Sequence, residues 1–164
     1  MLDVDRFEKM LCAGLIVRNA WRGTAPDGRE MLCALSALSR EVEESKNPRA
    51  ADMPLWLARL IPWLDDAPSA SAWPDIMRRL ARVARALPGA DAEALHRADY
   101  ACRTVAVRFA CDNAGAYAAE RAAVLGAEGG ASWAAMSATW HSTVAADDIA
   151  RGMLDVIERA VGLA

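Results

Sequence analysis

Two histidines, two lysines, two tyrosines and two phenylalanines are all that this 164-residue chain carries of those side chains. Two imidazoles are too few for a site built mainly of histidines. Only Lys9 and Lys46 are lysine, so arginine supplies the other 17 of the 19 basic residues. That bias, with abundant alanine, points to a GC-rich bacterial genome. No unbroken apolar stretch reaches the roughly 18 residues that a membrane span requires. The opening "MLDVDRFEKMLC" lacks the basic region and apolar core of an export signal, so a cytoplasmic location is expected. The four cysteines, Cys12, Cys33, Cys102 and Cys111, show no C-x-x-C spacing and read as reduced thiols. Cys12, Cys33 and Cys102 are expected to be inert core, while Cys111 falls near a helix end.

Nucleotide and zinc-protease signatures are missing too: there is no G-x-x-x-x-G-K, no G-x-G-x-x-G and no H-E-x-x-H. "GAEGG" (126–130) follows no strand and carries no lysine, so it reads as a helix stop. Glu93 and His96 have the Glu-x-x-His spacing of one half of a di-iron site. The second half is absent, since the other histidine, His141, has Ala138 three residues before it. Ser142, His141 and Asp148 do not make a proton relay, because adjacent residues on a helix point in different directions. The sequence thus argues against an enzyme and implies no cofactor or metal.

Apolar residues make up 54% of the chain, and a chain of this length buries roughly 70% of its unfolded surface. No staple is needed, and a single domain covering 1–164 is expected. Almost every segment has a helical period. Phe7, Leu11 and Leu15 mark a first helix over roughly 3–22. Asp27 and Glu30, at capping-box spacing, open a second over about 28–46. Asp52 and Pro54 start a third, "MPLWLARLIPWLDD" (53–66), in which Trp56, Leu60 and Trp63 form one stripe and Leu57, Ile61 and Leu64 its neighbour. A segment apolar on nearly all sides belongs in the core, and Pro62 should kink or end it. Further helices are expected over 74–87, over 91–112 with Leu95, Cys102, Val105 and Phe109 inward, and over 117–125. The span 132–162 fits one helix or two meeting at Ser142 or Thr143, with Trp133, Met136 and Trp140 on its apolar side. The class is all-α, a bundle of six or seven helices.

"DGREMLCALSAL" (27–38), "ADMPLWLARLIPWLDD" (51–66) and the following Trp73 together resemble a group of small, alanine-rich, helical bacterial proteins to which no activity is attached. The resemblance spans about residues 27–85 and implies a bacterial cytoplasmic origin and a packed role for Trp56 and Trp63.

Two features bear on function. Arg78, Arg82 and Arg85 advance by four and three residues, with Arg79 at the edge, and form a ridge opposite Ile76, Leu80, Val83 and Leu87. Such a ridge should matter little to folding and is a candidate surface for an acidic partner. The glutamates of "REVEES" (40–45) are its expected complement within the chain. Separately, Tyr100, Tyr117, Trp133, Trp140 and His141 are candidates for a pocket between helices. The leading expectation is a non-enzymatic module that binds another protein as an adaptor, regulator or toxin-neutralising partner. A small-molecule-binding helical domain is the alternative. A net charge of −3 argues against nucleic acid, and a homo-oligomer is compatible with the apolar content.

Overall fold

The computed structural model describes residues 1–141 (for His141 the backbone alone) and 146–163. Among these residues the chain forms nine α-helices and one two-stranded ribbon, so the all-α class holds with slightly more helices than expected. Helix α1 (Val4–Cys12) stops well short of residue 22. Gly14, at φ +67°, donates its N–H to Leu11, and Leu15 donates to Met10, the closing pattern of a left-handed helix stop.

The expected second helix is replaced at its start by strands β1 (Arg22–Thr24) and β2 (Glu30–Leu32), paired antiparallel with Gly23 opposite Met31. Asp27 does not cap a helix. Its carboxylate accepts the Arg29 N–H at 3.1 Å, and Gly28 turns the chain at φ +85°. Asp-Gly is a strong hairpin signal, and here it prevails over the capping-box spacing. Two short helices follow, α2 (Ala34–Leu38) and α3 (Arg40–Ser45), then a 3-10 turn at Pro48–Ala50.

Helix α4 (Leu55–Asp66) is the central element of the N-terminal half. Leu57, Leu60, Ile61 and Leu64 are fully buried and Trp63 is 8% exposed, so the Leu57–Ile61–Leu64 stripe is enclosed and the other is enclosed except at its start. Trp56 is only partly buried. The helix neither ends nor breaks at Pro62. Burial on both sides holds the turn that the missing N–H weakens. Helix α5 (Trp73–Ala86) turns Ile76, Leu80 and Val83 inward as its period requires.

The C-terminal half consists of α6 (Ala92–Ala114), α7 (Ala116–Gly129), α8 (Ala131–His141) and α9 (Ala146–Ala160). Helix α7 runs through Gly126 and stops at Gly130, so "GAEGG" is mostly helix. The span 132–162 gives two described helices with different neighbours: α8 packs on α4, α6 and α7, and α9 on α5 and α6. Ser142 and Thr143, the expected junction, lie outside the described residues.

Helix α9 buries Ile149, Met153, Leu154 and Ile157, and its Met153 carbonyl meets Cys102. Alanine supplies most of the buried side chains of α6, α7 and α8: Ala98, Ala106 and Ala110 of α6, Ala118 and Ala122 of α7, and Ala134, Ala135 and Ala138 of α8. Side chains this small let the helices approach closely; a Cβ added at Gly126 would lie 3.0 Å from that of Ala134. Several larger residues of α6 and α8 are displaced outward: Trp133 is 44% and Trp140 71% exposed although both fit the apolar period of α8, and Val105 and Phe109 are only partly buried.

Replacing Trp63 with alanine is expected to cost about 3–5 kcal/mol, as truncation of a buried Trp does. The same change at Trp56 should cost clearly less. Urea denaturation of both variants checks this, and a loss under about 1 kcal/mol at Trp63 would contradict its place in the core.

Candidate functional site

Helix α4 ends in a buried carboxylate. Asp65 is 1% exposed; its Oδ2 accepts the backbone N–H of Ala34 at 2.9 Å and its Oδ1 accepts the indole N–H of Trp73 at 2.9 Å. Ala34 opens α2, whose capping position holds Cys33 with no side-chain cap of its own. Asp65 therefore caps α2 from another helix and joins α2, α4 and α5. Arg18 closes the same end of α4 from outside, donating to the carbonyls of Asp65 (2.8 Å), Asp66 (2.9 Å) and Pro68. Its guanidinium also stands 5.9 Å from the Trp73 ring centre.

Asp99 repeats the device in the C-terminal half. It is 5% exposed, pairs with Arg103 one turn along α6 and accepts the N–H of Ala131 at 3.2 Å. Ala131 opens α8 behind Gly130, which has no side chain with which to cap.

The arginine ridge on α5 is occupied by carboxylates of the chain itself. Arg79, 12% exposed at the side chain, grips both carboxylate oxygens of Glu158 (3.1 and 2.7 Å) and reaches Asp155 at 2.5 Å. Arg82 adds a bond to Glu158 at 2.9 Å. Hydrogen bonding to Glu158 raises the already high pKa of Arg79, and its bonds from Arg79 hold the Glu158 carboxyl below its ordinary value. Arg85 meets Asp5 and Glu8, both at 2.9 Å, while among the described residues Arg78 has one carboxylate, Asp75 at 3.9 Å, besides the Pro74 carbonyl at 3.1 Å. The ridge thus ties α5 to α9 and α1. The glutamates of α3 are not its partners: Glu43 pairs with Arg6 at 2.6 Å and Arg22 at 3.6 Å. Those glutamates sit across the fold against α1 and the ribbon.

The candidate pocket residues lie on separate surfaces. Trp133 lines a groove of about 720 Å³ between α4 and α8, with Trp63 and Pro62 on the facing wall and Met136 beside it. Tyr100, 73% exposed, borders a hollow between α6 and α9. Tyr117 and Trp140 are 68% and 71% exposed. The side chain of His141 and its expected neighbour Ser142 lie outside the described residues. Glu93 pairs with the exposed Arg97 at 2.5 Å, and His96 is exposed. Of the cysteines, Cys33 and Cys102 are buried, and burial pushes both thiols up, away from the reactive thiolate. Cys12 is exposed rather than core, because α1 ends at that residue.

No family model matches the chain, and neither a curated protein nor a solved structure matches it at a significant level.

Burial pushes the Asp65 carboxyl up to about 6 from its ordinary 3.8, against the opposing pull of its bonds from Ala34 and Trp73. Between pH about 4 and 6 the folded chain holds a proton that the unfolded chain has released. This group's contribution to stability is therefore greatest below pH about 4 and declines as pH rises through 6. Measured by urea unfolding, the stability of the parent relative to the Asp65→Asn variant should fall by about 2 kcal/mol from pH 4 to pH 7. A difference that does not change with pH would contradict the raised value. On the ridge, Arg79→Ala should cost about 2 kcal/mol, since it leaves Asp155 without its partner and the largely buried Glu158 with Arg82 alone. Arg78→Ala should stay within about 0.5 kcal/mol. Equal losses would show that the α5–α9 clamp carries no stability.

Proposed function

We propose that the chain is a non-enzymatic protein–protein interaction module, an adaptor, regulator or toxin-neutralising partner, acting in the bacterial cytoplasm. One observation carries the reading. Helices α6, α7 and α8 pack together largely through alanine and leave large aromatic residues, Tyr100, Trp133 and Trp140, at the surface. Scattered apolar residues are ordinary on a surface, but exposed Trp and Tyr are the side chains that anchor protein interfaces. Supporting this, no described helix is long and apolar enough to cross a membrane. The α5 arginines, engaged within the fold, contribute less to such a surface than the aromatic residues do.

The groove between Trp63 and Trp133 favours a second reading, a small-molecule site. At about 720 Å³ it is in the range of ligand pockets, and its lining is mostly apolar.

Purification of the tagged full chain from its own cytoplasm, followed by mass spectrometry, separates the two. The module is expected to retain a protein in near-stoichiometric amount. A variant carrying both Tyr100→Ser and Trp140→Ser should lose that protein while keeping the parent's helical circular dichroism. A bound small molecule released on denaturation, with no protein retained, would favour the groove reading instead.

A further inference from the structure

The outer face of the seam between α6 and α9 is hollowed. Two hollows, of about 410 and 300 Å³, lie along it and share Ala101 as a common wall. Together they run from Ala94 to Phe109 on α6, about 22 Å at 1.5 Å per residue, or four helical turns. The floor is apolar: Val105 and Phe109 from one helix and Val156 from the other, each only partly buried. On α9, Gly152 lets Val105 and Phe109 of α6 lie close against its backbone; an added Cβ there would lie 3.0 Å from Val105.

The charge on this seam has one sign. Arg108, Arg97 and Arg159 are the charged residues that line the two hollows, in a chain whose net charge is −3. Arg97 already pairs with Glu93. Arg108 and Arg159 are exposed and, among the described residues, make no ion pair, unlike the α5 ridge, where each arginine has a carboxylate. Uncompensated guanidiniums flanking an apolar floor of helix length fit an amphipathic helix that carries acidic residues along both edges of its apolar face.

We propose that the α6–α9 seam is the docking groove for an acidic amphipathic helix of a partner protein. The proposal rests on the interaction-module reading and adds the surface and the chemistry of the partner. Val105, Phe109 and Val156 receive the apolar stripe. Arg108 and Arg159 meet carboxylates on its two edges, and Tyr100 covers it from the rim.

The test uses the full chain and a fluorescein-labelled synthetic peptide of about 16 residues, with leucine and phenylalanine at i, i+3, i+4 and i+7 and glutamate at the flanking positions. A permuted peptide of equal composition that scatters the stripe is the control. Fluorescence anisotropy should show saturable binding of the first peptide and at least about tenfold weaker binding of the second. The double variant Arg108→Glu, Arg159→Glu should lose at least about tenfold, since attraction becomes repulsion at two exposed positions. Ala101→Trp, which fills the middle of the groove, should lose as much. Both variants should keep the parent's circular dichroism and melting temperature; the double charge variant decides if Ala101→Trp fails to fold. Binding that is absent, unchanged in the double variant, or equal for the permuted peptide overturns the proposal. So does tighter binding to phosphatidylglycerol vesicles or duplex DNA that displaces the peptide, which would make the seam a polyanion site. A cellular protein still captured by the double variant would leave the interaction module standing and remove this groove from it, whereas loss of all capture by the parent would remove both.

Discussion

A carboxylate buried at the end of one helix and capping the start of another is the constraint on which the rest of this fold depends. Taking a charged group out of water costs several kcal/mol, and the attraction of a helix N-terminus with two N–H donors offsets part of that. The Asp65 carboxyl, raised to about 6, shows that the compensation is incomplete. The cost is tolerated because the alternative is worse distributed. Without Asp65, the first amide of α2 would be buried without an acceptor, the half-buried indole of Trp73 would lose its own, and α4 would lose its tie to both neighbours. Asp99 does the same for α8. In each half, a helix lacking a local cap is fastened by an aspartate from elsewhere in the chain.

Fastening helices this way has a consequence for the surface. With α8 fixed by Asp99 and packed through alanines, the space between α6, α7 and α8 is too narrow for Trp133 or Trp140, which turn outward. On α6, Val105 and Phe109 are left only partly buried, as the floor of the hollow beside α9. The arginines divide accordingly. Those on α5 meet carboxylates and clamp α9 and α1, and those on the α6–α9 seam have fewer partners inside the chain. Interaction capacity in this molecule is thus a by-product of how its small-residue core is packed.

Much of the architecture was legible from periodicity. The spans of α4, α5 and α6, the buried stripe Leu57, Ile61 and Leu64, and the burial of Cys102 follow from spacing alone. The ribbon was not, because Asp27-Gly28 before Glu30 satisfies a capping pattern and a hairpin turn equally, and only long-range pairing decides. The facing of α8 was hidden for another reason. Alanine and tryptophan both fit its apolar period, and which side goes inward depends on how closely its neighbours approach. The partners of Arg79, Arg82 and Arg85 lie more than seventy residues away in sequence, beyond the reach of any local pattern. Asp65 did leave a trace: it stands four residues after Ile61 and eight after Leu57, on the buried stripe, where a carboxylate demands a donor. No comparable periodic signal marked Arg18, whose role depends on carbonyls that only the folded helix end exposes.

First-turn helix amides ordinarily exchange with water early, since no carbonyl within the helix accepts their protons. If buried aspartates fasten α2 and α8, the amides of Ala34 and Ala131 must be exceptions. Native-state hydrogen exchange on the full chain should find both opening only with global unfolding, at the level of core amides such as those of Leu60 and Ala106. Exchange of either amide at the rate of a frayed helix end would contradict the account at its centre.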